Sequence, residues 1–273
     1  MRKKIAKYLS KHINNIYEGK KVLVIGSTGL LGVSLVSLLY ELKAEIIVST
    51  TNKEKALRLF SIYNPKIIEC NLLDENSVSN LISYINNNCY DYIFINSGYA
   101  NKERKYINDL EYHYLINYYS PYKIIYSINK NTKVIITASI SYKYSNINTL
   151  DLNGEESKVH DLYGISKKML LVSAILLKEE GYNISIAHPG IVYSNLFKTL
   201  NNIGFKKLVL PLIRPFMLKP DSAVLNMIQA GVINMDNNFW VGPKFFNIFG
   251  RPKLSKIKNL NTNYKINDFF YKR

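Results

Sequence analysis

Short apolar segments alternate with longer amphipathic segments along most of this chain of 273 residues. The apolar segments are typical of buried parallel strands and predict strands at 21–25, 45–48, 65–69, 92–95, 134–137, 184–187 and 239–243. Apolar residues at three- and four-residue steps predict helices at 3–17, 53–62, 75–85, 107–128 and 220–233. A further helix is predicted between the glycine-rich segment 26–32 and residue 42, and a long helix begins at about residue 162. Regular alternation implies right-handed crossovers, so the chain should form a single α/β domain with a doubly wound parallel sheet flanked by helices.

The first strand runs directly into a glycine-rich turn and then into an apolar helix. The turn consists of Gly26, Ser27, Thr28, Gly29, Leu30, Leu31 and Gly32. In a strand-turn-helix unit, backbone amides and the helix N-terminus can face a pyrophosphate, and glycine is needed where a Cβ would block that approach. The segment therefore predicts a Rossmann-like fold that binds a dinucleotide.

The end of the second strand indicates which nucleotide is preferred. An acidic residue here would bind the 2′-hydroxyl of NAD and repel a 2′-phosphate. This chain has Thr51, Asn52 and Lys53 instead, with no carboxylate before Glu54. We therefore expect NADP(H) as the preferred cofactor, with NAD(H) as the alternative. Asn71 and Leu72, together with Asn96, Ser97 and Gly98, follow later strands and are expected at the same crevice.

Tyr163 and Lys167 lie four residues apart near the start of a predicted long helix. That spacing places both side chains on one helical face. An ammonium group beside a phenol favours the phenolate, so the pair is expected to lower the tyrosine pKa and to support proton transfer. Ser139 and Ser141 follow the fifth strand on the crevice side, and Asn117 lies in the preceding helix.

In this order, the glycine turn, Asn96-Ser97-Gly98, Asn117, Ser139 and the Tyr163/Lys167 pair resemble the short-chain dehydrogenase/reductase family. His188-Pro189-Gly190 and the residues after it resemble the family's segment beside the nicotinamide. The resemblance covers about residues 20–245. It implies an oxidoreductase that transfers hydride between a nicotinamide and a carbonyl or alcohol.

The resemblance also implies a role for each matching residue. Tyr163 would be the general acid or base, Ser139 would bind the substrate oxygen, and Ser141 competes for that second role. Lys167 would lower the tyrosine pKa and bind the nicotinamide ribose, while Asn117 would hold a water that links Lys167 to solvent. The expected nicotinamide contacts are Pro189, Gly190, Ile191, Val192 and Ser194.

Two features of the sequence fit a different branch of the same family. The position of Gly29 and the long acidic segment between Ser139 and Tyr163 resemble the longer branch, which modifies sugar nucleotides. A sugar-nucleotide reductase, epimerase or dehydratase is therefore the alternative enzyme. The short total length and small tail favour the shorter reductase branch, which is our leading hypothesis.

Composition affects the choice of partners and compartment. The formal net charge is +16, which raises a non-enzymatic alternative, a dinucleotide-sensing protein that binds nucleic acid or membrane. Because the bases are scattered along the chain, we attribute them mainly to compositional bias and expect no nucleic-acid partner. Two cysteines without metal-like spacing and no apolar run long enough to cross a bilayer indicate a cytoplasmic protein. The four histidines show no ligand pattern, so we expect no metal site.

The chain is expected to divide into three parts. Residues 1–19 predict a basic amphipathic helix, 20–245 the dinucleotide-binding catalytic domain, and 246–273 a basic aromatic tail that docks on the domain or on lipid. Within the domain, the apolar segment 194–219 predicts a substrate lid, with an oligomer contact or a membrane-facing patch as alternatives. We expect a homodimer or homotetramer acting on a small carbonyl or alcohol, with peripheral membrane contact left open.

Overall fold

A computed structural model describes residues 2–192 and 217–270, and its main sheet has eight strands within these ranges. The strands are β1 Lys21–Ile25, β2 Glu45–Thr50, β3 Lys66–Glu69, β4 Tyr92–Ile95, β7 Lys133–Thr137, β8 Ile184–Ala187, β9 Phe239–Phe245 and β10 Phe249–Lys256. A separate hairpin pairs β5 Tyr106–Ile107 with β6 Leu110–Glu111. All neighbours in the main sheet are parallel except β9 and β10, which confirms the predicted fold class.

Helices cover both faces of the sheet. They are α1 Arg2–His12, α2 Leu30–Glu41, α3 Lys53–Leu59, α4 Glu75–Asn86, α5 Tyr112–Tyr114, α6 Ser120–Ser127, α7 Val159–Glu179, α8 Pro220–Ala223 and α9 Leu225–Val232. A π-helical turn, Leu115–Tyr119, joins α5 to α6. One apolar core lies between the sheet and α4 to α7, and the other lies between the sheet and α1, α2, α3 and α9.

The order of the strands creates the crevice in which ligands of such sheets bind. The order is β3-β2-β1-β4-β7-β8-β9-β10, so the chain winds outward in opposite directions from β1 and β4. At this switch point the loops after the two strands separate and leave a groove at their carboxyl ends. The glycine turn, Asn96, Ser139 and His188 all follow strands at that edge.

Two predicted helices differ from the structure. The helix expected at 107–128 begins only at Tyr112, because Asn108 and Asp109 adopt positive φ angles of 48° and 63° and turn the chain into the β5–β6 hairpin. The helix expected at 220–233 divides at Val224 into α8 and α9. Nearly all of the predicted lid at 194–219 lies outside the described residues.

Both terminal segments pack on the domain. The apolar face of the first helix and the following turn buries Ile5, Leu9, Ile13 and Tyr17. After residue 245 the chain turns back as β10, an antiparallel edge strand that sequence patterning did not predict. Residues 257–270 then cross the helices of the other face, where Phe269 is fully buried and its carbonyl accepts a hydrogen bond from the Tyr114 hydroxyl at 2.9 Å.

Candidate active site

A cavity of 570 Å³ opens at the carboxyl ends of β1, β2, β4, β7 and β8. Most of the predicted site residues line it, namely Gly26, Thr28, Gly29, Leu30, Leu31, Thr51, Asn71, Leu72, Asn96, Ser97, Gly98, Ser139, Tyr163, Lys167, Pro189, Gly190, Ile191 and Val192. Ser27, Gly32, Asn52, Lys53 and Asn117 are not part of its lining, and Ser194 lies outside the described residues. The structure thus brings the predicted nucleotide and proton-transfer residues into one space.

The missing side chains of the three glycines in the turn serve different structural purposes. A Cβ on Gly26, whose φ is +77°, would lie 2.8 Å from the Ser97 nitrogen, and a Cβ on Gly32 would lie 2.3 Å from the Gly26 oxygen. These two glycines allow β1, β4 and α2 to approach closely. A Cβ on Gly29 would have only the Gly26 oxygen near it, at 3.5 Å, so its missing side chain leaves open space at the N-terminus of α2. That space suits the backbone approach of a pyrophosphate.

The end of β2 presents hydroxyl groups to the cavity. The Thr28 and Thr50 hydroxyls lie 3.0 Å apart, and Thr51 lines the cavity beside them. Asn52 instead caps α3 by accepting a hydrogen bond from the Lys55 nitrogen at 2.8 Å, and Lys53 is exposed. Asn52 and Lys53 are therefore not part of the cavity lining in this structure, and the Asn52 side chain is engaged in the helix cap.

Two buried polar atoms beside the glycine turn have no hydrogen-bond partner among the described residues. They are Ser97 Oγ and Asn96 Oδ1, both in residues that line the cavity, while Asn96 Nδ2 donates to the Gly26 oxygen at 3.2 Å. A buried polar atom without a partner is costly, so these atoms fit the donors and acceptors of a bound dinucleotide. Together with the open space at Gly29, they make the residues present compatible with a nicotinamide cofactor.

Ser139 and Ser141 lie in the serine turn, which we define as residues 139–145 after β7. Ser139 is the N-cap of the 3-10 helix Ile140–Tyr144, and both serines line the cavity. Tyr142 is fully buried, and its hydroxyl donates to the Lys258 oxygen at 2.7 Å. Lys168 of α7 donates to the Ser145 oxygen at 2.7 Å. The C-terminal segment and α7 thus hold the serine turn against the site.

Helix α7 presents Tyr163 and Lys167 to the cavity, as their spacing predicts. Lys167 Nζ donates to the Ser97 oxygen at 3.2 Å and to the Thr137 oxygen at 3.1 Å. Burial lowers the pKa of Lys167 to about 8. Burial raises the pKa of Tyr163, while a hydrogen bond with Ser139 lowers it. The pair alone was expected to lower the tyrosine pKa, but here desolvation of the phenolate is the larger effect.

Asn117 lies in the π-helical turn and is fully buried. Its side chain binds the Tyr99 nitrogen and oxygen at 2.7 and 2.8 Å and donates to Ser166 Oγ at 3.0 Å. These contacts fix the chain just after Gly98 and brace α7 beside Lys167. In this structure Asn117 therefore positions two walls of the site, whereas the sequence resemblance implied that it holds a water.

His188 forms part of the cavity wall but is occupied by structural contacts. Its Nε2 lies 2.9 Å from the Asn247 oxygen and its Nδ1 lies 3.4 Å from the Ala138 oxygen. The ring stacks on Trp240 with centroids 5.1 Å apart. Burial lowers the pKa of His188 to about 4, so the ring is neutral near pH 7. These contacts give His188 a structural role in the cavity wall.

Several lining residues were missed by sequence reasoning. They are Ile25, Cys70, Ile116, Thr137 and Tyr144. Most stand at the last position of a strand or just after it, so the strand ends alone could have indicated them. Ile116 carries no such signal, because only the π-helical turn brings it to the cavity.

Residues 22–221 match the sequence profile of the NAD dependent epimerase/dehydratase family. This match covers well over half of the chain. The chain belongs to this family. The assignment confirms the resemblance to short-chain dehydrogenase/reductase proteins and supports a nicotinamide cofactor. No curated protein matches the sequence.

Solved structures of short-chain dehydrogenase/reductase type share the fold of this epimerase/dehydratase family member. An uncharacterised protein from Mycobacterium paratuberculosis is 17% identical with a TM-score of 0.67, over 88% of this chain and 85% of that one. The NADP complex of RhlG from Pseudomonas aeruginosa is 16% identical with a TM-score of 0.60, over 81% and 93% of the two chains. At these identities the likeness concerns the fold.

Two further findings concern other kinds of site. No group of three His, Cys, Asp or Glu side chains within residues 2–192 and 217–270 could hold a metal ion. In the same ranges, the helices are too short or too polar to cross a membrane.

Proposed function

We propose that this protein is an NADP(H)-dependent oxidoreductase that interconverts a carbonyl and an alcohol. The observation that supports the proposal is the convergence of Ser139, Tyr163 and Lys167 on the cavity formed by the glycine turn. A hydroxyl pair and a buried lysine beside a nucleotide-binding turn are the groups that hydride transfer to a carbonyl requires.

Each of these residues has a role in the proposed reaction. When a carbonyl is reduced, negative charge develops on its oxygen, which Ser139 stabilises by a hydrogen bond and Tyr163 protonates. The bound nicotinamide supplies the hydride. Lys167 binds its ribose and, with a pKa of about 8, exchanges a proton easily near neutral pH. In alcohol oxidation the same groups act in reverse, with Tyr163 as the base.

The preference for NADP(H) rests on the hydroxyl-rich end of β2. Thr28, Thr50 and Thr51 can donate to a 2′-phosphate, and the described lining contains no carboxylate that would repel it. With Lys53 directed to solvent, the preference depends on neutral donors and on the net positive charge of the chain. NAD(H) remains the second cofactor of the proposal.

The side chains around the reacting groups favour an apolar, uncharged substrate. The cavity that holds Ser139 and Tyr163 is also lined by apolar and aromatic side chains, among them Ile116, Ile140, Tyr144, Ile191 and Val192. Lys167 is the single charged side chain of the described lining, and its ammonium already binds two carbonyl oxygens. Since an anionic substrate needs cations of its own, this lining suits a small or bulky apolar ketone, aldehyde or alcohol.

A sugar-nucleotide epimerase, dehydratase or reductase is the second candidate. It is favoured by the family match, the position of Gly29 and the long segment between Ser139 and Tyr163. A sugar nucleotide carries two phosphates in addition to those of the cofactor. The apolar lining offers no described cation for them, which is why we place this function second.

The proposal is tested by following oxidation of NADPH and NADH with ketones, aldehydes and nucleotide keto-sugars. Tyr163→Phe should reduce turnover at least a hundredfold and leave NADPH binding within about twofold, because the ring remains and only the proton is lost. Tyr40→Phe, an exposed tyrosine on α2, is the matched control.

Full turnover by Tyr163→Phe would contradict the proposed role of Tyr163. If instead the purified protein keeps a tightly bound nicotinamide and converts a nucleotide sugar without net consumption of NADPH, the second candidate is correct.

A further inference from the structure

Ser141 makes two hydrogen bonds to the side chain of Ser139. Its hydroxyl donates to Ser139 Oγ at 2.9 Å, and its backbone nitrogen donates to the same atom at 3.3 Å. Both serines line the cavity, so these bonds form at the wall where the substrate oxygen would bind. The two bonds determine whether the Ser139 hydroxyl can still accept a further hydrogen bond or can only donate one.

A serine hydroxyl has one proton to donate and two lone pairs that accept. Because Ser141 fills both acceptor positions of Ser139, the hydroxyl of Ser139 can act only as a donor. Ser139 also forms a hydrogen bond with Tyr163, which lowers the pKa of the tyrosine. Since both acceptor positions of Ser139 are filled by Ser141, it is the serine that donates in this bond. The tyrosine proton then cannot be donated to Ser139 and remains available for another acceptor.

Contacts with Ser145 and α7 fix the position of Ser141. Ser145 Oγ donates to the Ser141 oxygen at 3.3 Å, and α7 approaches so closely at Gly164 that a Cβ there would lie 2.0 Å from Ser145 Oγ. The helix that carries Tyr163 is therefore in direct contact with the turn that carries Ser141. This contact keeps Ser139, Ser141 and Tyr163 in one fixed arrangement.

We propose that Ser141 is a positioning residue that sets the direction of hydrogen bonding in the active site. By donating to Ser139, it directs the single Ser139 proton toward Tyr163 before substrate binds and toward the substrate oxygen during the reaction, and it reserves the Tyr163 proton for the substrate. The inference rests on the proposed function, and it gives Ser141 a role that depends wholly on Ser139.

A double-mutant cycle isolates this dependence. Ser141→Ala should lower kcat about tenfold, the loss expected for one hydrogen bond in the transition state, while KM changes less than about twofold. Ser139→Ala should lower kcat more strongly, and adding Ser141→Ala to it should cause no further loss. Ser141→Thr retains a hydroxyl and should restore most of kcat. Ser37→Ala, whose hydroxyl bonds Tyr63 away from the cavity, is the control.

The pH dependence of alcohol oxidation supplies a second readout. The rate should rise with pH as Tyr163 ionises, and Ser141→Ala should move the midpoint to higher pH because a less strongly directed Ser139 stabilises the phenolate less. Cofactor affinity, measured by NADPH fluorescence, should remain within twofold in every variant. A merely structural role for Ser141 would not move the midpoint.

The outcomes separate this inference from the proposed function. If the wild-type protein converts a carbonyl but Ser141→Ala has the same kcat and midpoint, the role of Ser141 is refuted while the function stands. An equal loss from Ser141→Ala with and without Ser139 would show that Ser141 acts directly and would also refute the role. Absence of any turnover by the wild-type protein overturns the proposed function, and the role of Ser141 with it.

Discussion

Replacing Lys167 by methionine should make the protein more stable at neutral pH. The Lys167 side chain is only 3% exposed, and its pKa is lowered from 10.5 to about 8 by burial. At about 1.4 kcal/mol per pH unit, this lowering means that keeping the ammonium charged costs about 3 kcal/mol of folding free energy. Methionine has a similar apolar stem and carries no charge.

The hydrogen bonds of the ammonium offset part of this cost. Its bonds to the Ser97 and Thr137 oxygens would be lost, at about 1 kcal/mol each. The net gain for Lys167→Met at pH 7 is therefore about 1 kcal/mol. Turnover should fall at least a hundredfold, because the proposed ribose ligand and proton carrier is lost.

The stability difference should depend on pH with a definite sign. Below pH 8 Lys167 is charged in both the folded and the unfolded chain. Between pH 8 and 10.5 the folded protein has released a proton that the unfolded chain still binds, so wild-type stability rises with pH in this window. The advantage of Lys167→Met should therefore shrink above pH 8 and reverse at about pH 9, where the wild type has gained about 1 kcal/mol.

Urea unfolding of both proteins at pH 7 and pH 10 measures this difference, since other titrating groups affect the two proteins equally. Lys55→Met, at an exposed lysine of α3, is the control and should show no pH-dependent difference. If Lys167→Met is less stable than the wild type at pH 7, or if the difference is the same at both pH values, the assigned cost of the buried ammonium is wrong.

Three further variants probe the packing and the cofactor preference. Gly164→Ala should lower the free energy of unfolding by about 2 kcal/mol and kcat at least tenfold, because its Cβ would meet Ser145 Oγ at 2.0 Å. Adding Ser145→Gly should restore both quantities in part, and no restoration would contradict the contact. Tyr142→Phe should cost about 1 kcal/mol and lower kcat severalfold by freeing the serine turn, measured by urea unfolding and NADPH oxidation. Tyr182→Phe, which loses a similar bond to the Tyr126 oxygen, should cost the same stability and leave kcat unchanged. Thr51→Asp should lower the ratio of kcat/KM for NADPH over NADH at least tenfold, because the added carboxylate repels the 2′-phosphate. Thr51→Asn is the control. An unchanged ratio would place the 2′-phosphate elsewhere.

The central strands could be predicted from sequence because apolar side chains surround them on both faces of the sheet. Lys21–Ile25, Tyr92–Ile95 and Ile184–Ala187 are apolar runs buried on both faces, and their predicted limits equal the observed ones. The meeting of the glycine turn with Tyr163 follows from the same regularity, since the carboxyl ends of parallel strands share one edge of the sheet.

Features that depend on turn conformation or on hydrogen-bond direction could not be predicted in this way. The edge strand β10 contains Pro252 and several bases and shows no apolar alternation, so its pairing depends on the turn at Phe246 and Asn247, where φ is 54° and 58°. Lys53 has the charge of a phosphate ligand, but in the structure it is exposed and does not line the cavity. Nor does the sequence say which of two nearby serines donates to the other, which is decided by the geometry of the serine turn.

The C-terminal segment gives this domain a definite order of assembly. Ribosomes produce the glycine turn and the strands around it first, whereas residues 257–270 follow after the whole parallel sheet. Until that segment has been made, the Tyr142 hydroxyl lacks the Lys258 oxygen that holds the serine turn in the folded protein. The glycine turn is therefore made long before the residues that hold the serine turn, and the wall that carries Ser139 is expected to be the last part of the site to become fixed.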